Sequence, residues 1–197
     1  MKKYELLDQL LIQNNGYLLT SDVVEIGISK TYLSEYVKSN NMERVAHGIY
    51  MSENAWPDNL YLLGLRNKRI IYSHETSMYL HGLTDREPSY VTVTIRAGYN
   101  ASHLRRENIK VYTVNDGVIN LGKTSVKTVF GNTVSTYDID RSICDIIMHK
   151  KDIEVQMFNT IVNEYMRSRE KSLQKLMLYA QALGVEAKIR TYTEVML

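Results

Sequence analysis

Between residues 3 and 51, three helical stretches separated by glycine or asparagine turns lead directly into two short strands, an order that few small folds accommodate. Residues 3–15 set Tyr4, Leu6, Leu7, Leu10, Leu11 and Ile12 on one face of an amphipathic helix that ends at Asn14, Asn15 and Gly16. Thr20 and Ser21 offer an N-cap to a second helix that carries Val23, Val24 and Ile26 and stops at Gly27. Ser29 caps a third, in which Leu33, Tyr36 and Val37 face inward while Lys30, Thr31, Ser34, Glu35 and Lys38 face water. After a turn at Asn40 and Asn41, Met42–Val45 and Ile49–Met51 read as strands joined through Ala46, His47 and Gly48. This is the element order of a winged helix-turn-helix.

Pro57 interrupts the pattern. The reading therefore assigns residues 1–52 to a winged helix-turn-helix DNA-binding domain, 53–57 to a linker and 58–197 to a second domain. In that second part a helix runs through Leu60 to Leu65, Ile70–Tyr72 reads as a strand, and His74–His81 as a helix stopped by Gly82. Tyr90–Ile95, Ile109–Val114, Gly117–Leu121, Ser125–Phe130 and Thr133–Tyr137 read as strands. Arg141–His149, Ile153–Met166, Leu173–Leu183 and Val185–Met196 carry helical periodicity, with Gly184 as a break. The expected class is α+β: a winged helix followed by a mixed domain ending in helices.

Composition narrows the function classes. One cysteine in 197 residues cannot form an internal disulfide or a four-thiolate zinc site. The N-terminal Met-Lys-Lys-Tyr-Glu-Leu-Leu-Asp lacks the apolar core of a signal peptide, and no run approaches the roughly 18 apolar residues of a membrane span. A cytoplasmic protein without membrane contact is expected.

A winged helix binds DNA by fitting its outer helix into the major groove while the wing rests on the backbone. For base reading the sequence offers Lys30, Thr31 and Ser34; for phosphates it offers Ser29, Tyr32, Lys38, Arg44 and His47, with Gly48 allowing close backbone approach. Residues 1–52 hold five basic against six acidic side chains, a net of −1, so a lone module should bind weakly. Residues 66–141 hold eleven basic against seven acidic, a net of +4. Lys3, Arg66, Lys68, Arg69, Arg105, Arg106 and Lys110 are thus candidates for further contacts to the DNA backbone. The competing reading of the first module is a docking or dimerisation domain with a solvated polar face.

Other groups invite catalytic or metal readings. Asp138 and Asp140 form a carboxylate pair of the kind that holds magnesium in nucleotidyl transfer, but the Gly-Ser helix entry that accompanies it is missing; Asp140 as a helix cap, with Asp138 in the turn, is the simpler account. Glu186-Ala-Lys188 suits a nuclease only on a strand, and the periodicity there, through Val185, Ile189, Tyr192 and Met196, is helical. His74 and His81 lie two turns apart, too far to share one zinc, so capping and packing are expected. His149 beside Lys150 and Lys151 reads as a solvated helix end, and Cys144 as core. Gly117–Gly122 lacks the spacing of a phosphate loop. Met157, Tyr165, Met166, Met177, Tyr179 and Met196 form either ordinary core or an adaptable interaction surface. No catalytic residue, metal or cofactor is assigned.

Four segments carry a family resemblance: Gly27-Ile-Ser-Lys-Thr-Tyr-Leu-Ser-Glu-Tyr-Val37, Met42-Glu-Arg-Val-Ala-His-Gly-Ile-Tyr50, Tyr72-Ser-His-Glu-Thr-Ser-Met-Tyr-Leu-His-Gly-Leu83 and Tyr137-Asp-Ile-Asp-Arg-Ser-Ile-Cys-Asp-Ile-Ile147. With them the chain resembles the AbiEi-type antitoxins and transcriptional regulators of bacterial type IV (AbiE) toxin–antitoxin systems. One departure is Asn40-Asn41, where a glycine-containing turn is expected; asparagine tolerates the left-handed conformation such a turn needs. The resemblance implies a winged helix that binds inverted repeats in duplex DNA upstream of its own operon and represses it. It also implies a C-terminal domain that supplies dimerisation or cooperativity and opposes a nucleotidyltransferase-like toxin without a stable complex.

Overall fold

The computed structural model describes residues 3–196. The chain divides into two compact units, Met1–Arg66 with Thr128–Asn132, and Asn67–Lys127 with Thr133–Leu197. In the first, helix α1 (Lys3–Gln13) precedes strand β1 (Tyr17–Leu19), helices α2 (Thr20–Glu25) and α3 (Lys30–Ser39), strands β2 (Glu43–Ala46) and β3 (Ile49–Met51), and helix α4 (Asn59–Arg66). The strands form an antiparallel sheet in the order β1-β3-β2. Gly27 and Asn41 turn the chain on either side of α3 with φ of 81° and 50°, so asparagine does take the left-handed position.

Strand β1 was not among the expected elements, because a three-residue run buried throughout shows no alternation. Its two faces serve different cores. Leu18 joins Leu7, Val23, Ile28, Leu33, Tyr36 and Met42 beneath the helices. Tyr17 and Leu19 point the other way, with Ile49 and Met51, to Tyr61, Leu62 and Leu65 of α4. That second core carries compactness through Arg66, past the 53–57 segment read as a linker. Thr20 and Ser21 do not cap α2: Leu19 occupies the N-cap position, Thr20 is already helical and its N–H donates to the Gly48 carbonyl at 2.8 Å.

Buried Asp58 completes this unit. Its carboxylate accepts from Tyr61 N at 2.9 Å, Thr128 Oγ1 at 2.6 Å and Asn132 Nδ2 at 2.8 Å, and its own N–H donates to Tyr17 Oη at 3.0 Å. Asn15 Nδ2 donates to Asn132 Oδ1 at 2.9 Å.

The second unit comprises β4 (Ile71–Tyr72), α5 (His74–Leu80), β5 (Thr92–Arg96), α6 (Ser102–Arg106), β6 (Lys110–Val114), α7 (Asp116–Ile119), β7 (Lys123–Lys127), β8 (Thr133–Tyr137) and α8 (Ile139–Met148). A 3₁₀ turn (Lys150–Asp152) then leads to α9 (Val155–Arg167), α10 (Leu173–Ala182) and α11 (Glu186–Met196). The five strands lie in the order β6-β5-β4-β8-β7, with β5·β6 and β4·β8 parallel and the other pairs antiparallel. Thus the class is α+β, a winged helix-turn-helix followed by a mixed domain that ends in helices.

The strand expected over Gly117–Leu121 is a helical turn, α7, and its cause lies on α8. Arg141, fully buried, donates through Nη1 to the carbonyls of Val118 at 2.8 Å and Leu121 at 3.0 Å, so those groups are taken from any ladder. Gly122 has φ of 73°, and a Cβ there would meet Arg141 Cβ at 2.6 Å. The strand expected over Ser125–Phe130 ends at Lys127, where Thr128–Asn132 turns back with the Thr128 N–H on the Asn132 carbonyl. Helix α6 was not expected. Met157, Tyr165 and Tyr179 are core residues, with Met166 and Met177 packed against them; the Met196 side chain lies outside the described residues.

Candidate nucleic-acid interface

Helix α3 begins as its sequence demands. Ser29 Oγ accepts the Tyr32 N–H at 3.3 Å, and Leu33 and Tyr36 are buried. Tyr36 Oη donates to Asp8 Oδ1 of α1 at 2.5 Å, which ties the two helices and, with burial, pushes the phenol's ionisation well above its usual range. Tyr32 is half-buried under an edge contact from Tyr4, ring centroids 5.3 Å apart, and Lys3 Nζ lies 5.2 Å from its ring centre. Lys3 and Tyr32 therefore sit together at the start of α3. Tyr4, absent from the residues picked out for binding, supports that corner; its place on the apolar stripe of α1 is the signal that it packs.

Lys30, Thr31, Ser34 and Lys38 are all exposed, and none makes a side-chain hydrogen bond or ion pair among the described residues. Lys30, Ser34 and Lys38 are spaced four apart and form one stripe along the helix. Exposed Glu35 lies on the same side of the helix and tempers its charge. Lys2, counted in the module's net charge, lies outside the described residues.

In the wing, Arg44 and His47 are exposed and joined, Arg44 Nη2 donating to His47 Nδ1 at 3.0 Å. Since Arg44 has only donors, neutral His47 carries its proton on Nε2, the nitrogen left for a partner. A register shift between Arg44 and Ala46 brings the two side chains to one edge of the hairpin. Gly48, with φ of 69°, closes the turn; what it approaches is the protein's own Thr20 side chain, since a Cβ there would meet Thr20 Oγ1 at 3.3 Å.

The further basic candidates divide between the units. Arg66 ends α4 in the first. Lys68, Arg69, Arg105, Arg106 and Lys110 belong to the second, where Arg69 lies 5.5 Å from the Tyr99 ring centre, Lys110 Nζ donates to the Asp152 carbonyl at 2.7 Å, and Arg105 and Lys110 line one cleft.

The acidic candidates are held in other work. Asp138, not Asp140, caps α8, its Oδ1 accepting the Arg141 N–H at 2.8 Å and its Oδ2 the Tyr179 hydroxyl at 3.0 Å. The helix starts two residues earlier than expected, which makes Asp138 the cap and carries Asp140 into the buried first turn, where Tyr165 Oη and Ser172 N donate to it at 2.8 and 2.9 Å. Glu186 lies on helix α11, paired with Arg190 at 2.8 Å. His81 Nε2 bonds the Tyr137 carbonyl at 2.8 Å. His149 is not a solvated end: it is half-buried, its Nδ1 3.0 Å from His74 Nε2 and 3.1 Å from the Asp145 carbonyl. Burial pushes the Cys144 thiol far up, consistent with a core residue. No described helix is long and apolar enough to cross a membrane.

Comparison with known proteins bears on both parts of the chain. A crystal structure of the RV2827C protein from Mycobacterium tuberculosis superposes with a TM-score of 0.55, covering 93% of this chain and 75% of that one at 9% sequence identity, a likeness of fold. No curated protein matches in sequence. The family model of the AbiEi antitoxin transcriptional regulators matches residues 5–52, the span from α1 through the wing. Over that span, the chain is similar to the AbiEi antitoxin regulators, in agreement with the resemblance carried by its Gly27–Val37 and Met42–Tyr50 segments.

Proposed function

We propose that the chain is a sequence-specific DNA-binding autorepressor and antitoxin, and that α3 and the wing form its DNA surface. The observation that carries this reading is the unpaired polar stripe of α3, Lys30, Thr31, Ser34 and Lys38, beside exposed Arg44 and His47. Its setting is a winged helix similar to a family of transcriptional regulators. Lys30, Thr31 and Ser34 read base edges; Ser29, Tyr32, Lys38, Arg44, His47 and Lys3 meet the backbone. With a net charge of −1 in residues 1–52, one module has little general attraction for phosphate. Two copies on an inverted repeat, in a dimer or a cooperative pair, supply the affinity. The second domain provides that pairing and opposes a cognate nucleotidyltransferase-like toxin in a type IV manner, without a lasting complex. The reading requires no metal, cofactor or catalytic group and places the protein in the cytoplasm.

The test is fluorescence anisotropy of the full chain against the duplex upstream of its own gene and a shuffled duplex, over a series of salt concentrations. The native duplex should bind more tightly. Lys38→Ala and Arg44→Ala should each lower the salt slope by about one unit, whereas Thr31→Ala should relax sequence preference. Equal weak binding to both duplexes, with slopes untouched by the substitutions, would make the module a docking domain.

A further inference from the structure

Within the second unit, Glu75, Tyr90, Arg105, Ile109, Lys110 and Met157 are among the residues lining a cleft of about 390 Å³, in the size range of small-ligand sites. Its lining is chemically divided. Tyr90, 54% exposed, and Met157 offer a flat aromatic surface and a soft apolar one. Arg105 is exposed, and its side chain makes no hydrogen bond or ion pair among the described residues. Lys110 Nζ is steadied at the cleft by the Asp152 carbonyl at 2.7 Å and the Tyr112 ring at 5.4 Å. Of the other acids in the lining, Glu154 is paired with Arg86 at 3.1 Å and Asp152 is exposed.

Glu75 is the unusual member. It is half-buried, and its Oε2 is buried with no hydrogen-bond partner among the described residues. Such an atom lowers stability unless something donates to it. The backbone that delivers it is strained as well. His74 has φ of 50°, in the left-handed region, and is held there through both ring nitrogens, by Ser73 Oγ at 2.9 Å and His149 Nδ1 at 3.0 Å. Its ring stacks on Tyr112 with centroids 3.7 Å apart. A strained, over-determined residue therefore holds the backbone just before Glu75, whose carboxylate belongs to the cleft wall.

An orphan acceptor, two cations and an aromatic surface in one cleft call for a ligand with a donor, an anion and a flat body. Inorganic anions lack the flat body; polyamines lack the anion. We propose that the cleft binds a nucleoside phosphate, its base donating to the Glu75 carboxylate and lying against Tyr90 and Met157, and its phosphate held by Arg105 and Lys110. Burial raises the Glu75 carboxyl pKa, and a donor from the base would favour its ionised, accepting form. This assigns to Arg105 and Lys110 a phosphate carried by a small molecule.

The test is isothermal titration of the full chain with GMP, AMP, CMP, UMP and inorganic phosphate, up to about 1 mM, the weak end of the affinity scale. At least one amino-bearing nucleotide should bind saturably and about tenfold more tightly than UMP, whose N3–H is flanked by carbonyls that would face the carboxylate, and than phosphate. Arg105→Ala should weaken every nucleotide by about tenfold, and Glu75→Gln should flatten the ranking among bases. Tyr90→Ser, at an exposed position that folding tolerates, should weaken binding without altering the phosphate requirement. No saturable heat with any nucleotide, phosphate binding as tightly as they do, or binding indifferent to Arg105→Ala and Tyr90→Ser would each overturn the assignment.

Discussion

Helices α3 and α8 are both ten residues long and both begin at a side-chain cap, Ser29 for one and Asp138 for the other, yet they treat their polar residues in opposite ways. Helix α3 buries Leu33 and Tyr36 and leaves Lys30, Thr31, Ser34 and Lys38 exposed, with no side-chain partner among the described residues. Helix α8 buries every residue from Ile139 to Ile147, with Arg141 and Asp145 among them. These two join at 3.1 Å, and Arg141 also lies 4.4 Å from the Tyr137 ring centre. One polar set is therefore available to a partner, while the other fixes the fold. Residue type says little here; where the hydrogen bonds go says which helix keeps its polar groups outward and which spends them on the fold.

The sharpest way to break that contrast is Arg141→Ala. It strands a buried carboxylate and two carbonyls, and should cost about 3–5 kcal/mol in urea denaturation. A loss within the range of a surface substitution would mean that α8 does not rest on this arginine. Next comes acidity. Burial, opposed by Arg141, raises Asp145 to about 6, so the folded chain keeps that proton at pH values where the unfolded chain has released it. The stabilisation it contributes is fully present below the unfolded carboxylate pKa and disappears as pH rises through about 6. The stability of the wild type relative to Asp145→Asn should accordingly fall between about pH 4 and pH 7, by on the order of 2–3 kcal/mol. A flat difference would show that attraction to Arg141 outweighs burial. On the other helix, Ser29→Ala removes a cap and should cost about 1 kcal/mol in the same assay. Smallest of all, Lys30→Ala should change stability by less than about 0.5 kcal/mol while weakening operator binding; a large loss of stability would place Lys30 in the architecture after all.

How much of this could be read in advance depended on how local the cause was. The Ser29 cap, the Gly27 turn and the exposed stripe of α3 follow from neighbours within a few residues, and the structure has them. Asp138 took the cap expected of Asp140 because a helix boundary moved by two residues, which is enough to carry a carboxylate from the cap to the interior. Gly117–Leu121 looked like a strand until Arg141, twenty residues on, claimed the Leu121 carbonyl. His149 looked solvated until His74, 75 residues away, came into contact. The cleft formed by Glu75, Arg105 and Lys110 has no counterpart in sequence spacing, since it exists only once α5, α6 and β6 are assembled.

The bonds at Asp58 bear on the order in which the chain can fold as it is made. Two of its partners, Thr128 and Asn132, are synthesised about seventy residues after it. While only residues 1–66 have left the ribosome, the Tyr61 N–H reaches this carboxylate through Oδ1; Oδ2 gains its donors from Thr128 and Asn132 only after residue 132 has emerged. Most of the β-sheet of the second unit has been made by then; a fragment cut at residue 66 lacks both donors to Asp58 Oδ2, and one cut at residue 52 also lacks the α4 side chains packed on Tyr17 and Leu19.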